Sequence, residues 1–332
     1  MQNLDRQVIA QSLNWVAQEP VWLCTVLSTY GSSPRAPGAM MVISAAGLYR
    51  GSLSGGCVEE DFIGRIRAGA FRDGSQIVRY GDGGLSPDRA LPCGGKLDIL
   101  IEMLPAGPGS VAYLSRLGQA LAGYLSLRKE VILPHACRYL EECAYSSGTI
   151  INTIIDTIDS TIVSEEGKRI GLTIAAAPRL IIAGLSQVAL FCAEFSVALG
   201  FETIVCEHRP DALQNFVSQL NREVIVKETF PAHYLEKEGC HGNTAVVALT
   251  HDPRIDDLTM MEAVHTDSFY LGVMGSVRNS RQRLRRLENI GGLTAGELAR
   301  IHAPVGLDLG GKTPAEIALA VMADIVRHKN RQ

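Results

Sequence analysis

Apolar residues in this chain fall into short continuous runs that alternate with stretches of helical spacing, a pattern typical of α/β proteins. A helical stretch at the amino end is followed by two β-rich runs, Val21 to Tyr30 and Met40 to Ser44, on either side of the turn sequence GSSPRAPG. Runs at 76–80 and 96–104 predict two more strands. We therefore expect an α/β domain in the first third of the chain.

A glycine-flanked cysteine, Cys57, stands in the sequence GSLSGGCVEE directly before a helical pattern. Apolar residues recur every four positions after it, at Val58, Phe62, Ile66 and Ala70. Free backbone amides and the positive end of a helix dipole would favour a thiolate at this position. Gly55 and Gly56 would let the backbone approach a ligand closely.

A second glycine-flanked cysteine, Cys93, precedes Gly94 in the sequence PCGG. The alternative for both cysteines is a small buried side chain at a tight turn, since free cysteine usually behaves as an apolar residue. Neither belongs to a C-x-x-C pair, which argues against a structural zinc site. His135, Cys137 and Cys143 also match no standard spacing of metal ligands, so we expect no metal cluster there.

The turn between the first two strands contains Ser33 and Arg35 between two prolines. Hydroxyl groups and a guanidinium on a rigid turn can bind an anion. A solvated hairpin loop explains the same residues equally well.

The stretch Arg179 to Phe201 is long and apolar, yet its polar interruptions predict a buried strand, a turn and a helix rather than a membrane span. A second strand, ETIVC, follows, so this region begins a Rossmann-like doubly wound parallel sheet. The dinucleotide fingerprint G-x-G-x-x-G/A is only partly present, because Gly184 is followed by Ser186 where the second glycine would stand.

Glu207 lies 23 residues after Gly184, near the position of the acid that binds a ribose in dinucleotide-binding folds. Arg209 offers a phosphate contact two residues later. The alternative for both side chains is an exposed strand end.

Two further strands, at 243–252 and 268–276, break off at polar residues. Doubly wound sheets bind ligands at the carboxyl edge of the strands, and five residues are expected to face that crevice: Thr250, His251, Asp252, Gly275 and Ser276. Arg278 and Arg281, one helical turn apart in the next helix, could meet an anion. We expect three other arginines of this helix to be solvated: Arg283, Arg285 and Arg286.

Thr313, Pro314 and Glu316 predict a capping box at the start of the last helix.

Composition limits the class of protein. The 332 residues are too many for one typical domain, and 46% hydrophobic content with 33 glycines suits a globular α/β protein. A net charge of −4 argues against nucleic-acid binding. The amino terminus lacks the pattern of a signal peptide, and eight scattered cysteines suit a reducing compartment, so we expect a cytoplasmic protein that does not bind membranes.

The ordered motifs resemble those of the xanthine dehydrogenase accessory protein family, also called XdhC/CoxI. They stand here as GSSPRAPG, SGGCVEE, PCGG, LTHDPRIDD, MGSVRNS and APVGLDLGGKTPAEIA. The resemblance covers nearly the whole chain outside its middle region. One departure lies in the Rossmann turn, where the family usually reads G-x-G-H-V-A and this chain reads GLSQVA.

The resemblance implies a chaperone that receives molybdenum cofactor, protects it, supports exchange of a terminal oxygen for sulfur, and delivers it to a molybdenum hydroxylase. Cys57 and Cys93 match the two motif cysteines and are expected to contact the molybdenum, for which a soft thiolate is a suitable ligand. Arg35 and Ser33 would hold the phosphate or the pterin edge of the cofactor. The cofactor would be molybdopterin with or without a cytosine nucleotide, and further partners would be a cysteine desulfurase or a nucleotidyltransferase.

Two other classes of function stay open. An NAD(P)-dependent oxidoreductase fits the α/β pattern, although Ser186 disfavours it, and a docking protein would bring partner enzymes together without binding the cofactor. We expect a non-catalytic maturation factor that forms a homodimer. The expected domains are residues 1–105 with the cysteine motifs, a connecting region at 106–177 and a Rossmann-like domain at 178–332.

Overall fold

The structure is a computed structural model that describes residues 4–30, 35–72, 74–81, 96–137, 139–142, 169–174 and 176–331, without the side chains of Tyr30, Cys57 and Tyr139. Contacts along the chain divide it into two compact units, Leu4–Ala176 and Ala177–Gln332. The predicted fold class, α/β with a Rossmann-like parallel sheet at the carboxyl end, is confirmed.

The first unit contains two antiparallel sheets and three helices among its described residues. A five-stranded sheet has the order β3-β2-β1-β5-β4, and a three-stranded sheet has the order β7-β6-β8. The elements are α1 (Leu4–Val16), β1 (Val21–Tyr30), β2 (Met40–Ser44), β3 (Tyr49–Gly51), α2 (Cys57–Arg67), β4 (Ser75–Tyr80), β5 (Lys96–Leu104), α3 (Pro108–Leu121), β6 (Leu127–Ile132), β7 (Tyr139–Glu142) and β8 (Arg169–Ile174).

Strand β1 is buried from Val21 to Leu27, and all of these residues except Thr25 are apolar, because both faces of the five-stranded sheet are covered. Val21 and Leu23 pack into a core with α1, α3 and the three-stranded sheet. Trp22 and Cys24, which point the other way, pack into a second core that includes α2. The predicted strands 21–30 and 40–44 are confirmed, and they pair antiparallel as a hairpin.

The helix predicted after Cys57 is confirmed, although it ends one turn before the apolar pattern does. Val58, Phe62 and Ile66 are buried in the second core. The helix stops at Arg67, and Gly69 follows in the left-handed region with φ 85°. Ala70 therefore lies outside the helix.

A buried ion pair lies inside the first unit. The ammonium group of Lys129 on β6 contacts Glu102 on β5, and their side chains are 2% and 0% exposed. Tyr113 on α3 donates a hydrogen bond of 2.9 Å to Glu102 Oε1. The pair and the tyrosine thus connect both sheets to helix α3.

The second unit is a doubly wound sheet with all strands parallel, in the order β11-β10-β9-β12-β13-β14. This is the Rossmann order 3-2-1-4-5-6. Its elements are β9 (Arg179–Ala183), α4 (Gln187–Ala198), β10 (Glu202–Cys206), α5 (Pro210–Phe216), a 3₁₀ turn (Val217–Gln219), β11 (Ile225–Lys227), α6 (Pro231–Glu238), β12 (Thr244–Ala248), α7 (Pro253–Ala263), β13 (Tyr270–Val273), α8 (Val277–Asn289), α9 (Ala295–Ala299), β14 (Ile301–His302) and α10 (Pro314–Lys329).

Helices cover both faces of this sheet, which explains its continuous apolar strands. Along β9, Leu180 and Ile182 pack with α4 and α10, whereas Ile181 and Ala183 pack against the opposite face with α6, α7 and α8. The stretch Arg179 to Phe201 is a strand, a glycine turn and a helix, as predicted. Among the helices that the structure describes, none is long and apolar enough to cross a membrane.

Replacement of Lys129 by methionine should strongly destabilise the first unit. The change leaves the Glu102 carboxylate buried without its cation, and the loss of one partner of a buried pair typically costs about 3–5 kcal/mol. Chemical denaturation measures the loss, and Arg128→Met, an exposed cation on the same strand, serves as the control with a change below about 0.5 kcal/mol.

The double variant Lys129→Met with Glu102→Leu should recover most of the lost stability, because an apolar pair removes the unpaired charge. A double variant as unstable as the single one would contradict this account of the pair.

Candidate functional site

Several predicted site residues lie outside the part of the chain that the structure describes. These are Ser33, Cys93, Gly94 and the side chain of Cys57, together with Cys143 of the middle region. Their predicted roles stay predictions. Within the described ranges, no three His, Cys, Asp or Glu side chains come together as a metal site.

The backbone before Cys57 forms a glycine turn at the start of α2. Gly55 and Gly56 have φ angles of 87° and 136°, in the region that favours glycine. The helix begins at Cys57 with Gly56 as its N-cap, so the predicted position of this cysteine is confirmed. A Cβ atom on Gly56 would meet no atom of the described residues within 4 Å, so this part of the structure leaves the backbone open to close approach.

Glu59 fills the inside of this turn. Its Oε1 accepts hydrogen bonds from the amides of Leu53 and Ser54, at 2.7 and 2.9 Å, and its Oε2 accepts one from the amide of Gly56 at 2.9 Å. The hydroxyls of Ser52 and Ser54 also donate to the carboxylate, at 2.8 and 2.6 Å. Glu59 is 3% exposed.

These contacts correct the expectation of free amides around Cys57. Burial alone would raise the pKa of Glu59, but the hydrogen bonds from Ser54, Ser52 and Leu53 outweigh it and lower the pKa to about 2. The amides of the turn are therefore engaged by an internal anion that stays ionised at neutral pH. The amide of Val58 is also engaged, by Ser54 Oγ at 3.1 Å.

Arg35 lies in the described part of the first turn sequence and is half-buried. Its charge acts to lower the pKa of Asp5 on α1, although burial outweighs this effect and raises that pKa. Arg35 thus interacts with α1, while its predicted contact with an anionic ligand stays a prediction.

The Rossmann turn after β9 is compact. Gly184 has a φ of 86°, and a Cβ atom there would lie 2.1 Å from Thr250 Cγ2. Ser186 is the N-cap of α4, and its hydroxyl accepts a hydrogen bond of 3.2 Å from the amide of Ala189. The residue that replaces the second fingerprint glycine therefore occupies one of the amides that a pyrophosphate would use.

Glu207 is neither exposed nor open to a ribose. It is 1% exposed, and it accepts hydrogen bonds from the amide of Leu185 at 2.7 Å and from Arg209 Nη2 at 2.7 Å. Burial acts to raise the pKa of Glu207, but Arg209 and the Leu185 amide lower it overall. Glu207 is therefore not an exposed strand end: it pairs with Arg209 and holds the turn. The predicted phosphate contact of Arg209, whose side chain is 31% exposed and lines a pocket, stays a prediction.

A buried carboxylate also lies at the end of β12. Asp256 is 1% exposed and accepts hydrogen bonds from the amide and the hydroxyl of Thr250, at 3.2 and 2.7 Å. His251 is exposed and has a φ of 66°, a left-handed conformation that is uncommon for a non-glycine residue. Asp252 caps α7 and pairs with Arg254 at 3.0 Å.

The arginines of α8 differ from the prediction. Arg283 is 5% exposed and donates to Asp257, to the Met274 carbonyl and to Asp256, at 2.7, 2.8 and 3.2 Å. The expectation that Arg283 is solvated is therefore wrong. Arg286 also pairs with Asp257, although its side chain is 40% exposed. Arg285 is exposed, as expected, and so are Arg278 and Arg281, whose contact with an anion stays a prediction.

Ser276 caps α8 by accepting a hydrogen bond of 3.2 Å from the amide of Asn279. Thr313 and Glu316 form the predicted capping box of α10.

The residues that sequence reasoning missed are Glu59, Asp256 and Arg283. Only Glu59 had a local signal, because it stands three residues after the N-cap, where an acidic side chain turns back to the cap.

Shallow pockets follow the carboxyl edge of the sheet. One of about 430 Å³ lies at the point where the strand order reverses, between β9 and β12. Its lining includes Ser186, Arg209, Thr250 and His251. Ligands of doubly wound sheets bind at this place. Of the five residues predicted to face the crevice, Thr250 and His251 line this pocket, whereas Asp252 and Gly275 line two neighbouring pockets.

Comparison with known proteins decides the family. The profile of the XdhC and CoxI family matches residues 15–81, and the profile of the XdhC Rossmann domain matches residues 180–325. The chain belongs to the XdhC and CoxI family. Each profile falls within one of the two units.

Relatives match the chain over nearly its whole length. The molybdenum cofactor insertion chaperone PaoD of Escherichia coli is 28% identical over 91% of this chain and 81% of its own length. A probable xanthine dehydrogenase subunit of Bacillus subtilis is 25% identical over 95% of this chain and 94% of its own. A crystal structure described as a xanthine dehydrogenase from Bacillus halodurans superposes with a TM-score of 0.72, at 23% identity, over 100% of this chain and 97% of that one. This last likeness supports the fold.

The Glu59→Gln variant should lower the stability of the first unit by about 2–3 kcal/mol at pH 7. The pKa lowered from 4.5 to about 2 corresponds to about 3 kcal/mol. Because the pKa is lower in the folded state, this stabilisation is fully present above pH 4.5 and is lost as the pH falls towards 2.

Denaturation of the wild type and the variant at several pH values measures the effect. The difference between them should shrink steadily below pH 4.5. Glu60→Gln, an exposed acid next in sequence, is the matched control with a change below about 0.5 kcal/mol. Equal effects of the two variants would show that Glu59 does not hold the turn.

Proposed function

We propose that this protein binds molybdenum cofactor and delivers it to a molybdenum hydroxylase of the xanthine dehydrogenase or aldehyde oxidase type. The observation that carries the proposal is the similarity to a molybdenum cofactor insertion chaperone over 91% of the chain, which includes both units. A relative named as part of a xanthine dehydrogenase supports the same class of client.

The surroundings of Cys57 support a role in holding the molybdenum. A thiolate is a soft ligand that suits such a metal. Among the described residues, none lies within 4 Å of a Cβ placed on Gly56, which leaves room for a ligand to approach the backbone before Cys57. Cys93 would be the second contact, and Arg35 and Ser33 would bind the phosphate or pterin edge.

Residues at the carboxyl edge of the parallel sheet belong to the same proposal. Within the second unit, His251, Asp252, Ser276 and Arg278 are proposed as cofactor-binding residues. Gly184 and Ser186 shape the neighbouring turn, while Glu207 and Arg209 act by holding it.

The proposal also covers sulfuration of the cofactor, the partner proteins, the form of the cofactor and the oligomeric state. The protein would support sulfuration of the cofactor, with a cysteine desulfurase or a nucleotidyltransferase as further partners, and would accept cofactor with or without a cytosine nucleotide. It would act as a homodimeric, non-catalytic maturation factor in the cytoplasm.

An NAD(P)-dependent oxidoreductase has less support. In dinucleotide-binding folds the acid after the second strand binds the ribose. Here both Glu207 oxygens accept hydrogen bonds from Leu185 and Arg209, and Ser186 engages the amide of Ala189.

Cofactor retention tests the proposal. Purified protein is mixed with molybdenum cofactor, the unbound fraction is removed, and retained molybdenum and pterin are measured. We expect close to stoichiometric retention by the wild type and at least tenfold weaker binding by Cys57→Ser and Cys93→Ser, equivalent to a loss of about 1.4 kcal/mol each. Cys240→Ser, at a half-buried cysteine of the second unit, should retain cofactor like the wild type.

Three results separate the possibilities. No retention by the wild type would overturn the proposal and leave a docking protein or a nucleotide-binding enzyme. Retention that survives both cysteine changes would disprove the assigned contacts but not the chaperone role. Client enzyme that matures normally with cysteine variants lacking retention would favour the docking protein.

A further inference from the structure

A small pocket lies at the carboxyl ends of β12 and β13, beside the first turns of α8. Its volume is about 240 Å³, and its lining includes His251, Asp256, Gly275, Asn279, Gln282 and Arg286. Pockets that enclose a whole drug-sized ligand measure about 300–1,000 Å³. This one therefore fits one end of a larger molecule.

A buried hydroxyl without a partner lies behind this pocket. Ser280 is 1% exposed, and its Oγ has no hydrogen-bond partner among the described residues. Its backbone amide is satisfied by the Ser276 carbonyl at 2.8 Å, and Ser276 caps the helix. Buried polar atoms in native proteins are nearly always hydrogen-bonded, so an orphaned hydroxyl points to a group that binds there.

The hydroxyl faces the space that Gly275 leaves open. A Cβ atom on Gly275 would lie 3.4 Å from Ser280 Oγ and 3.5 Å from Arg283 Nη1. Gly275 does not lie in the positive-φ region, so the backbone does not require glycine at this position. The missing side chain leaves a space about one methyl group wide beside the hydroxyl and the guanidinium.

The free polar groups of the pocket are mainly donors. Both oxygens of Asp256 are engaged, one by Thr250 and the other by Arg283. The Ser280 hydroxyl and the carboxamides of Asn279 and Gln282 can still donate.

The charge around the pocket favours an anion. Arg283 and Arg286 neutralise Asp256 and Asp257. Arg278 adds a positive charge at the first turn of α8, where it is exposed. The amino end of this 13-residue helix contributes further positive potential.

We propose that this pocket binds a phosphate group, with the carboxamides of Asn279 and Gln282 and the Ser280 hydroxyl, which lies beside Gly275, as donors. The inference rests on the proposed function only for the source of that group, which would be the phosphate of the molybdenum cofactor. A free phosphate or another phosphorylated metabolite presents the same chemistry, and the experiment separates these sources.

Calorimetric titration of the full chain with inorganic phosphate and with pyrophosphate tests the pocket, with chloride at matched ionic strength as the blank. We expect saturable binding of both by the wild type. Ser280→Ala removes the donor and Gly275→Ala fills the space, and each should weaken binding at least tenfold. Ser218→Ala, at an exposed serine, and Gly296→Ala, at an unobstructed glycine, should bind like the wild type.

Thermal unfolding without ligand provides a second measurement. The Ser280→Ala variant should melt at the same temperature as the wild type or higher, because it removes a buried hydroxyl that has no partner among the described residues. A lower melting temperature with unchanged phosphate binding would show a structural role for the hydroxyl and overturn the proposal. Absence of saturable phosphate binding by the wild type would overturn it as well.

Failure of this inference and failure of the proposed function give different results. Cofactor retained equally by the wild type and Ser280→Ala, without binding of free phosphate, leaves the chaperone role intact and disproves the pocket. Phosphate binding that depends on Ser280 in a protein that retains no molybdenum cofactor supports the pocket and assigns it to another phosphorylated ligand.

Discussion

Buried carboxylates that accept hydrogen bonds from backbone amides hold the turns at which a ligand would approach this protein. Glu59 binds the amides of residues 53–56 before Cys57, Glu207 binds the Leu185 amide after β9, and Asp256 binds the Thr250 amide after β12. Each carboxylate is at most 3% exposed. An internal anion of this kind fixes the turn and uses the donors that an external anion would need.

This arrangement departs from the turn that binds a dinucleotide on the same fold. The sheet order and the turn after β9 follow the Rossmann pattern, yet the turn is closed on Glu207 and Arg209. The groups that we propose as ligand contacts are instead the thiol of Cys57 in the first unit and, in the second unit, the donors between β12 and α8. A soft metal suits the thiol, and a phosphate group suits the donors.

Much of the fold could be predicted from the sequence, because local patterns determine it. The continuous apolar run of β1 and the strand, turn and helix from Arg179 onward follow from burial patterns that are local in the chain. The position of Cys57 at a helix start followed from glycines and apolar spacing. The motif resemblance supplied the family, which composition alone could not have given.

Two kinds of side-chain contact in the site could not be predicted: those that join residues distant in sequence, and those in which an acid has more than one possible partner nearby. Arg283 belongs to a run of arginines that is typical of a solvated helix. It is nevertheless buried, and it pairs with Asp256 and Asp257, which lie 27 and 26 residues away. Glu207 stands at the ribose position by the distance rule, yet Arg209 two residues later neutralises it. The position of Glu207 in the chain does not show whether its carboxylate binds a ribose or pairs with Arg209.

Binding of molybdenum cofactor and of NADPH to the wild-type protein, compared side by side by calorimetry, tests the central claim most directly. The account predicts saturable, close to stoichiometric binding of the cofactor and no saturable binding of NADPH. Saturable NADPH binding that displaces the cofactor would contradict it, because Glu207 and the turn after β9 would then have to open to a nucleotide.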